Sequence, residues 1–98
     1  MLCGITGHGG FLGSFLLKIK SNFTKLKFLP FDPRTSEIPK GLSVIYHLGF
    51  SSVYNYQINE QYSIKNDLDS SIKILKYCIR NSTHLVFISS SAIYDNSN

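Results

Sequence analysis

The chain contains no tryptophan, one methionine and two cysteines in 98 residues. Cys3 and Cys78 stand far apart and form no metal-binding or redox motif by spacing, so no metal site and no disulfide framework is expected. That usage fits a reducing setting, and a cytoplasmic location is the expectation. Long hydrophobic runs are also missing: nothing approaches the roughly 18 apolar residues that cross a bilayer. Met1-Leu2-Cys3 leads directly into a glycine-rich turn rather than a secretory leader, and no membrane partner is expected. Charge is scarce at 16%, against 43% hydrophobic residues, the balance of a globular chain and not of a disordered one. A chain of 98 residues allows one small domain at most.

The net charge of +4 raises the question of nucleic acid. Lys18, Lys20, Lys25 and Lys27 cluster on and after a first predicted helix, and Lys65, Lys73, Lys76 and Arg80 decorate a second. Both sets alternate with apolar positions, as on a solvated helix face, and no nucleic-acid module lies beside them. No nucleic-acid partner is expected.

Glycine is what the chain has in concentration: Gly7, Gly9, Gly10 and Gly13 fall within seven positions of "ITGHGGFLGSFL". Each costs roughly 0.5–1 kcal/mol relative to alanine inside a regular element, so bare backbone has a use here. Before them "MLCGIT" has strand length and strand composition; after them Phe11, Leu12, Phe15, Leu16 and Ile19 recur at helical spacing. The glycines therefore occupy a strand-to-helix turn. A helix starting there points its unpaired N–H groups and positive dipole end into the turn, which suits a phosphate.

Three more strands follow by pattern: "LKFLPF" at 26–31, "SVIYHLGF" at 43–50 and "HLVFIS" at 84–89. Between the last two, Ile64, Leu68, Ile72, Leu75 and Ile79 hold one apolar face of a helix over 63–81. Apolar strands alternating with helices predict an α/β fold with a parallel sheet covered on both faces. Only eleven residues, 32–42, join the second strand to the third. At about 36 Å fully extended they can recross the sheet but cannot build a crossover helix. Right-handed crossovers then give the order 2-1-3-4, with the chain reversing direction between strands one and three, where doubly wound sheets bind ligands.

Thr6-Gly7-His8-Gly9-Gly10-Phe11-Leu12-Gly13 resembles the T-G-x-x-G-F-[IL]-G turn of the extended short-chain dehydrogenase/reductases, the nucleotide-sugar epimerase and dehydratase group. It does not match G-x-G-x-x-G, since Leu12 stands where that pattern has glycine. Further matches fall in order: Asp32 after the second strand, "YHLGF" resembling H-[LF]-A-A, Asn66 opening the long helix, and "ISSSAIY" resembling S-S-x-x-V-Y. The resemblance implies a Rossmann-like NAD(P)-binding domain and transient hydride transfer at a sugar carbon. It also implies a homodimer for the full-length protein, the long helix neighbouring the usual dimer surface.

In that family, backbone N–H groups near Phe11 and Leu12 face the pyrophosphate among Gly7, Gly10 and Gly13, and both side chains anchor the helix in the core. Asp32 would accept from the adenosine ribose hydroxyls and so favour NAD, while Arg34, two residues on, keeps NADP open. His47 corresponds to a buried structural histidine. Leu48 and Gly49 would pass their backbone beside the cofactor, with Asn66 and Ser89 also contributing. Ser90, four residues before Tyr94, corresponds to the catalytic serine that holds the substrate oxygen. Its usual companions are a tyrosine and a lysine in Y-x-x-x-K, yet no tyrosine here has a lysine four positions on. The expectation is therefore the N-terminal portion, residues 1–98, of a longer enzyme, inactive alone and lacking the sugar-nucleotide half. The short 32–42 segment resembles that of the deoxysugar reductases, and Asp95 replaces the usual glycine after the V-Y pair. A deoxysugar-nucleotide reductase and a noncatalytic dinucleotide-binding sensor or scaffold are the alternatives.

Overall fold

The computed structural model describes residues 1–19, 26–49 and 57–87. In chain order these form β1 (Leu2–Thr6), α1 (Phe11–Ile19), β2 (Lys27–Pro30), β3 (Val44–His47), α2 (Glu60–Asn81) and β4 (His84–Phe87). The four strands make one sheet in the order β2-β1-β3-β4, and every neighbouring pair is parallel. That is an α/β, Rossmann-like arrangement in the predicted strand order.

Alternation along β1 divides the core. Cys3 and Ile5 join Phe28 on one face and meet Leu16 and Leu17 of α1. Gly4 faces the other way, and a Cβ there would lie 2.7 Å from Leu42 Cδ1 and 2.8 Å from Phe31 Cε1. The missing side chain leaves room for a second cluster of Phe31, Leu42, Ile45, Ile74 and Cys78, which seats α2. Among the described residues, one helix thus covers each face. Cys3 and Cys78 are free thiols in different clusters, and burial raises the pKa of both.

The connection from β2 to β3 contains turns and no helix. Its end residues Phe31 and Leu42 are both buried beneath α2, so the chain crosses β1 on that face. Gly41, with φ of +79°, makes the turn that feeds β3.

Each helix turns a face to the sheet that departs from its predicted stripe, in part for α1, where Leu16 packs inward as expected, and throughout for α2. In α1, Leu12 and Phe15 are 43% and 53% exposed, while Leu16 and Leu17 pack inward. Leu12 therefore does not anchor the helix in the core, and the side chain of Phe11 lies outside the description. The cause is Gly13: it is buried where the helix closes against the turn, which brings positions 13, 16 and 17 inward. In α2 the buried residues are Ser63, Ser70, Ile74 and Cys78. The predicted core stripe of Ile64, Leu68, Ile72, Leu75 and Ile79 is 48%, 55%, 41%, 49% and 74% exposed. Phe31 and Leu42 already fill that side of the sheet, and α2 settles on them with its smaller residues.

Asn66 does not open α2. The helix begins at Glu60, and Asn59 caps it by accepting a hydrogen bond from Tyr62 N at 3.1 Å. At its other end Ser82 adopts a left-handed conformation, φ 52°, and its N–H bonds Cys78 O.

Candidate functional site

Thr6 and His47 are paired residues at the C-terminal ends of β1 and β3, and the segments that leave them run side by side. Gly7 has φ of +71°, and a Cβ on it would lie 2.7 Å from Gly49 N and from both Leu48 C and O. A Cβ on Gly13 would strike the Gly7 carbonyl. These two glycines are requirements of the fold. Gly9 and Gly10 are not: a Cβ on Gly9 meets nothing within 4 Å, one on Gly10 meets only Gly7 O at 3.4 Å, and neither has positive φ. Gly10 therefore has ordinary backbone angles and room for a side chain.

Gly10 nonetheless holds a telling position. Its carbonyl accepts from Ser14 N at 2.9 Å and Ser14 Oγ at 2.6 Å, so it caps α1. A cap residue commonly offers a side-chain oxygen to the first-turn N–H groups. Glycine offers none, and no acidic residue occupies the first turn of α1. The positive end of the helix is left for something else to satisfy.

That end borders a cavity of about 290 Å³ whose wall includes Gly7, Gly9, Gly10, Asp32, Arg34 and Gly49, with Ser70 of α2 behind. The volume lies near the lower end of the range for ligand sites. Of the residues the sequence nominates, Gly7, Gly10, Asp32, Arg34 and Gly49 come together on this cavity. Gly13 braces the turn from behind, Leu48 packs toward Cys3, Ile5 and Phe28, and Asn66 is not in the cavity wall. Ser89 and Ser90 lie outside the described residues.

Asp32 and Arg34 form a single unit. Arg34 Nε and Nη2 donate to Asp32 Oδ1 and Oδ2 at 3.0 and 3.1 Å, and Arg34 N donates to Oδ1 at 3.0 Å. Those bonds, chiefly the side-chain ones, hold the carboxyl below its ordinary pKa, with His8 adding a smaller pull in the same direction. Arg34 is shifted upward by the same pairing. The two residues appear in the sequence as alternatives for ribose or 2'-phosphate, and the fold ties them to each other.

On the opposite wall, Thr6 Oγ1 accepts from Leu48 N at 3.0 Å and Gly49 N at 2.9 Å. With both lone pairs engaged, its hydroxyl proton goes to His47 Nδ1, 2.7 Å away. The imidazole therefore carries its proton on Nε2, which donates to Ser71 Oγ at 3.2 Å. Burial lowers the pKa of His47, with Asp67 opposing more weakly. His47 is thus a neutral brace for the Leu48–Gly49 backbone, whose N–H groups point to Thr6.

Lys73 is the site residue that sequence reading misses. Its Nζ donates to Pro33 O at 2.8 Å and Ser36 O at 2.9 Å, gripping the turn that presents Asp32 and Arg34. One helical turn later, Tyr77 Oη donates to Pro39 O at 2.9 Å. The spacing of Ser70, Lys73, Ile74 and Tyr77 on one side of α2 is the signal that could have found it. No family model, curated protein or solved structure matches the chain.

Proposed function

We propose that the chain is the NAD(P)-binding portion of an extended short-chain dehydrogenase/reductase acting on a nucleotide sugar, as an epimerase or dehydratase. The observation that carries this reading is the single cavity joining the open start of α1 to the Asp32–Arg34 pair. It lies where the chain reverses direction between β1 and β3, the place doubly wound sheets use for ligands. Gly9 and Gly10 fit the same reading, since their bare backbone is unexplained by packing and lets a pyrophosphate approach. Asp32 accepts from the adenosine ribose, and Arg34 holds the carboxylate in place; NAD is preferred and NADP is the alternative cofactor. A bound cofactor supplies hydride exchange with a sugar carbon. Ser90 is assigned to hold the substrate oxygen, and Ser89 and Asn66 to contact the cofactor.

For the 98 residues by themselves, a noncatalytic dinucleotide-binding module is the second reading, favoured by the absence of any Y-x-x-x-K pair. A deoxysugar-nucleotide reductase shares every binding step. In each case the partner proposed for the exposed α2 stripe is a second copy of the chain. Antiparallel pairing about Ile72 sets Leu68 against Leu75 and Ile64 against Ile79, and brings Asp69 of each copy alongside Lys76 of the other.

Calorimetric titration with NAD and NADP tests the reading. Gly10→Val is expected to stay folded with a modestly lower thermal midpoint, since valine is a poorer N-cap than glycine, and to lose binding, because the fold has room at that Cβ while the branched side chain stands in the cavity. Asp32→Ala should narrow the preference for NAD. Unchanged affinity in a folded Gly10→Val protein overturns the cradle, and tighter NADP binding by the unaltered protein overturns the role of Asp32.

A further inference from the structure

The turn at 32–36 carries the only charged pair on the cavity wall among the described residues, and it belongs to no helix or strand. Its own bonds are local: Asp32 O accepts from Thr35 N, Ser36 N and Ser36 Oγ at 3.2, 3.1 and 2.9 Å. Such bonds shape a turn but do not fix its direction relative to the sheet. Phe31, buried and bonded through its N–H to Ile5 O at 3.0 Å, fixes where the turn leaves the sheet, and α2 holds the far side. Lys73 Nζ reaches the carbonyls of Pro33 and Ser36, the two shoulders of the Arg34–Thr35 tip, and Tyr77 Oη fastens Pro39 beyond them. Both side chains bond backbone rather than side chains, so they act on where the turn sits and not on the chemistry it presents.

We propose that Lys73 is a positioning residue for the cavity: by clamping Pro33 and Ser36 from α2 it holds the Asp32–Arg34 pair opposite the open start of α1, with Tyr77 as the second anchor. The clamp acts on the turn whatever the ligand; its effect on affinity rests on the dinucleotide reading. A carboxylate held in one direction binds a ribose diol without first being ordered, whereas a loose turn must be ordered at the expense of affinity. Lys73 is exposed and Ile74 beside it is buried, so replacing Lys73 leaves the packing of α2 in place.

The experiment compares Lys73→Met, Lys73→Arg and Tyr77→Phe with the unaltered chain in two measurements. The first needs no ligand: solvent exchange of the Arg34 Nε–H by nitrogen-15 NMR, expected to quicken in Lys73→Met and to recover in Lys73→Arg, whose guanidinium can donate to two carbonyls at once. The second is titration with two probes, ADP-ribose and inorganic pyrophosphate. Lys73→Met should weaken ADP-ribose about tenfold, roughly the loss of one well-placed interaction, and leave pyrophosphate unchanged. Tyr77→Phe should do the same to a smaller degree. A merely structural lysine would weaken both probes alike. Exchange at the unaltered rate in Lys73→Met overturns the proposal. If the unaltered chain binds no ADP-ribose, the dinucleotide reading fails, and the exchange comparison alone decides the role of Lys73.

Discussion

Three glycines of one short turn do different work, and only their surroundings tell them apart. Gly7 and Gly13 let two backbone segments meet, whereas Gly10 has ordinary angles and room for a Cβ with one ordinary contact, to Gly7 O at 3.4 Å. Composition shows that glycine is concentrated at 7–13; it cannot show which of them the fold needs. The same holds for His47, whose residue type invites an acid–base role. Its surroundings give a measurable consequence. Burial depresses its pKa in the fold, so below the ordinary value of about 6.5 the unfolded chain binds more protons than the folded one. Stability is therefore complete above about pH 6.5 and declines as the pH falls below it. The drop in denaturation midpoint between about pH 7.5 and about pH 5.5 is expected to be smaller in His47→Asn, whose side-chain oxygen still accepts from Thr6 but does not titrate in that range. An equal drop in both proteins would show that His47 is not held neutral.

At the level of the element, the strands were legible and the helix orientations were not. Four apolar segments, one connection too short for a helix and the handedness of crossovers suffice for the order β2-β1-β3-β4. Periodicity likewise locates α2 to within a few residues, but it records only which stripe is most apolar, not what waits on the sheet. Phe31 and Leu42 arrive there from the connection between β2 and β3, and Ser63, Ser70, Ile74 and Cys78 turn inward to meet them. Lys73 was hidden for the same reason: once the inward face is misassigned, a lysine near its border reads as solvated. The two faces of α2 predict opposite responses. Ile74→Ala should cost about 2–5 kcal/mol by emptying a fully buried site. Ile72→Glu should leave stability within about 0.5 kcal/mol, as surface changes do, yet abolish self-association. Sedimentation at several concentrations checks this; a monomeric unaltered chain, or a dimer that survives Ile72→Glu, removes the second copy from the α2 stripe.

At the scale of the whole molecule, the proposed dinucleotide reading requires that binding and turnover separate. Hydride transfer to or from a sugar carbon needs a proton moved in concert. A serine can orient an oxygen, but it is a weak base at neutral pH without an activating neighbour. The companion Y-x-x-x-K pair is absent from the 98 residues; of the titratable side chains on the described cavity wall, Asp32 is already paired with Arg34 and His8 has no tyrosine–lysine pair to work with, while His47 lies behind the wall, bonded to Thr6 and Ser71. General acid–base catalysis typically contributes about 10²- to 10⁴-fold, and loss of substrate positioning removes more. The chain made alone should therefore gain stability from NAD without consuming it. At a concentration about 100 times the dissociation constant, mass action adds about 2.7 kcal/mol, which appears as a higher thermal midpoint. No NADH should accumulate with any nucleotide sugar. Steady NADH formation by the purified chain, lost on Ser90→Ala, would overturn the separation and place a complete proton-transfer apparatus within these 98 residues.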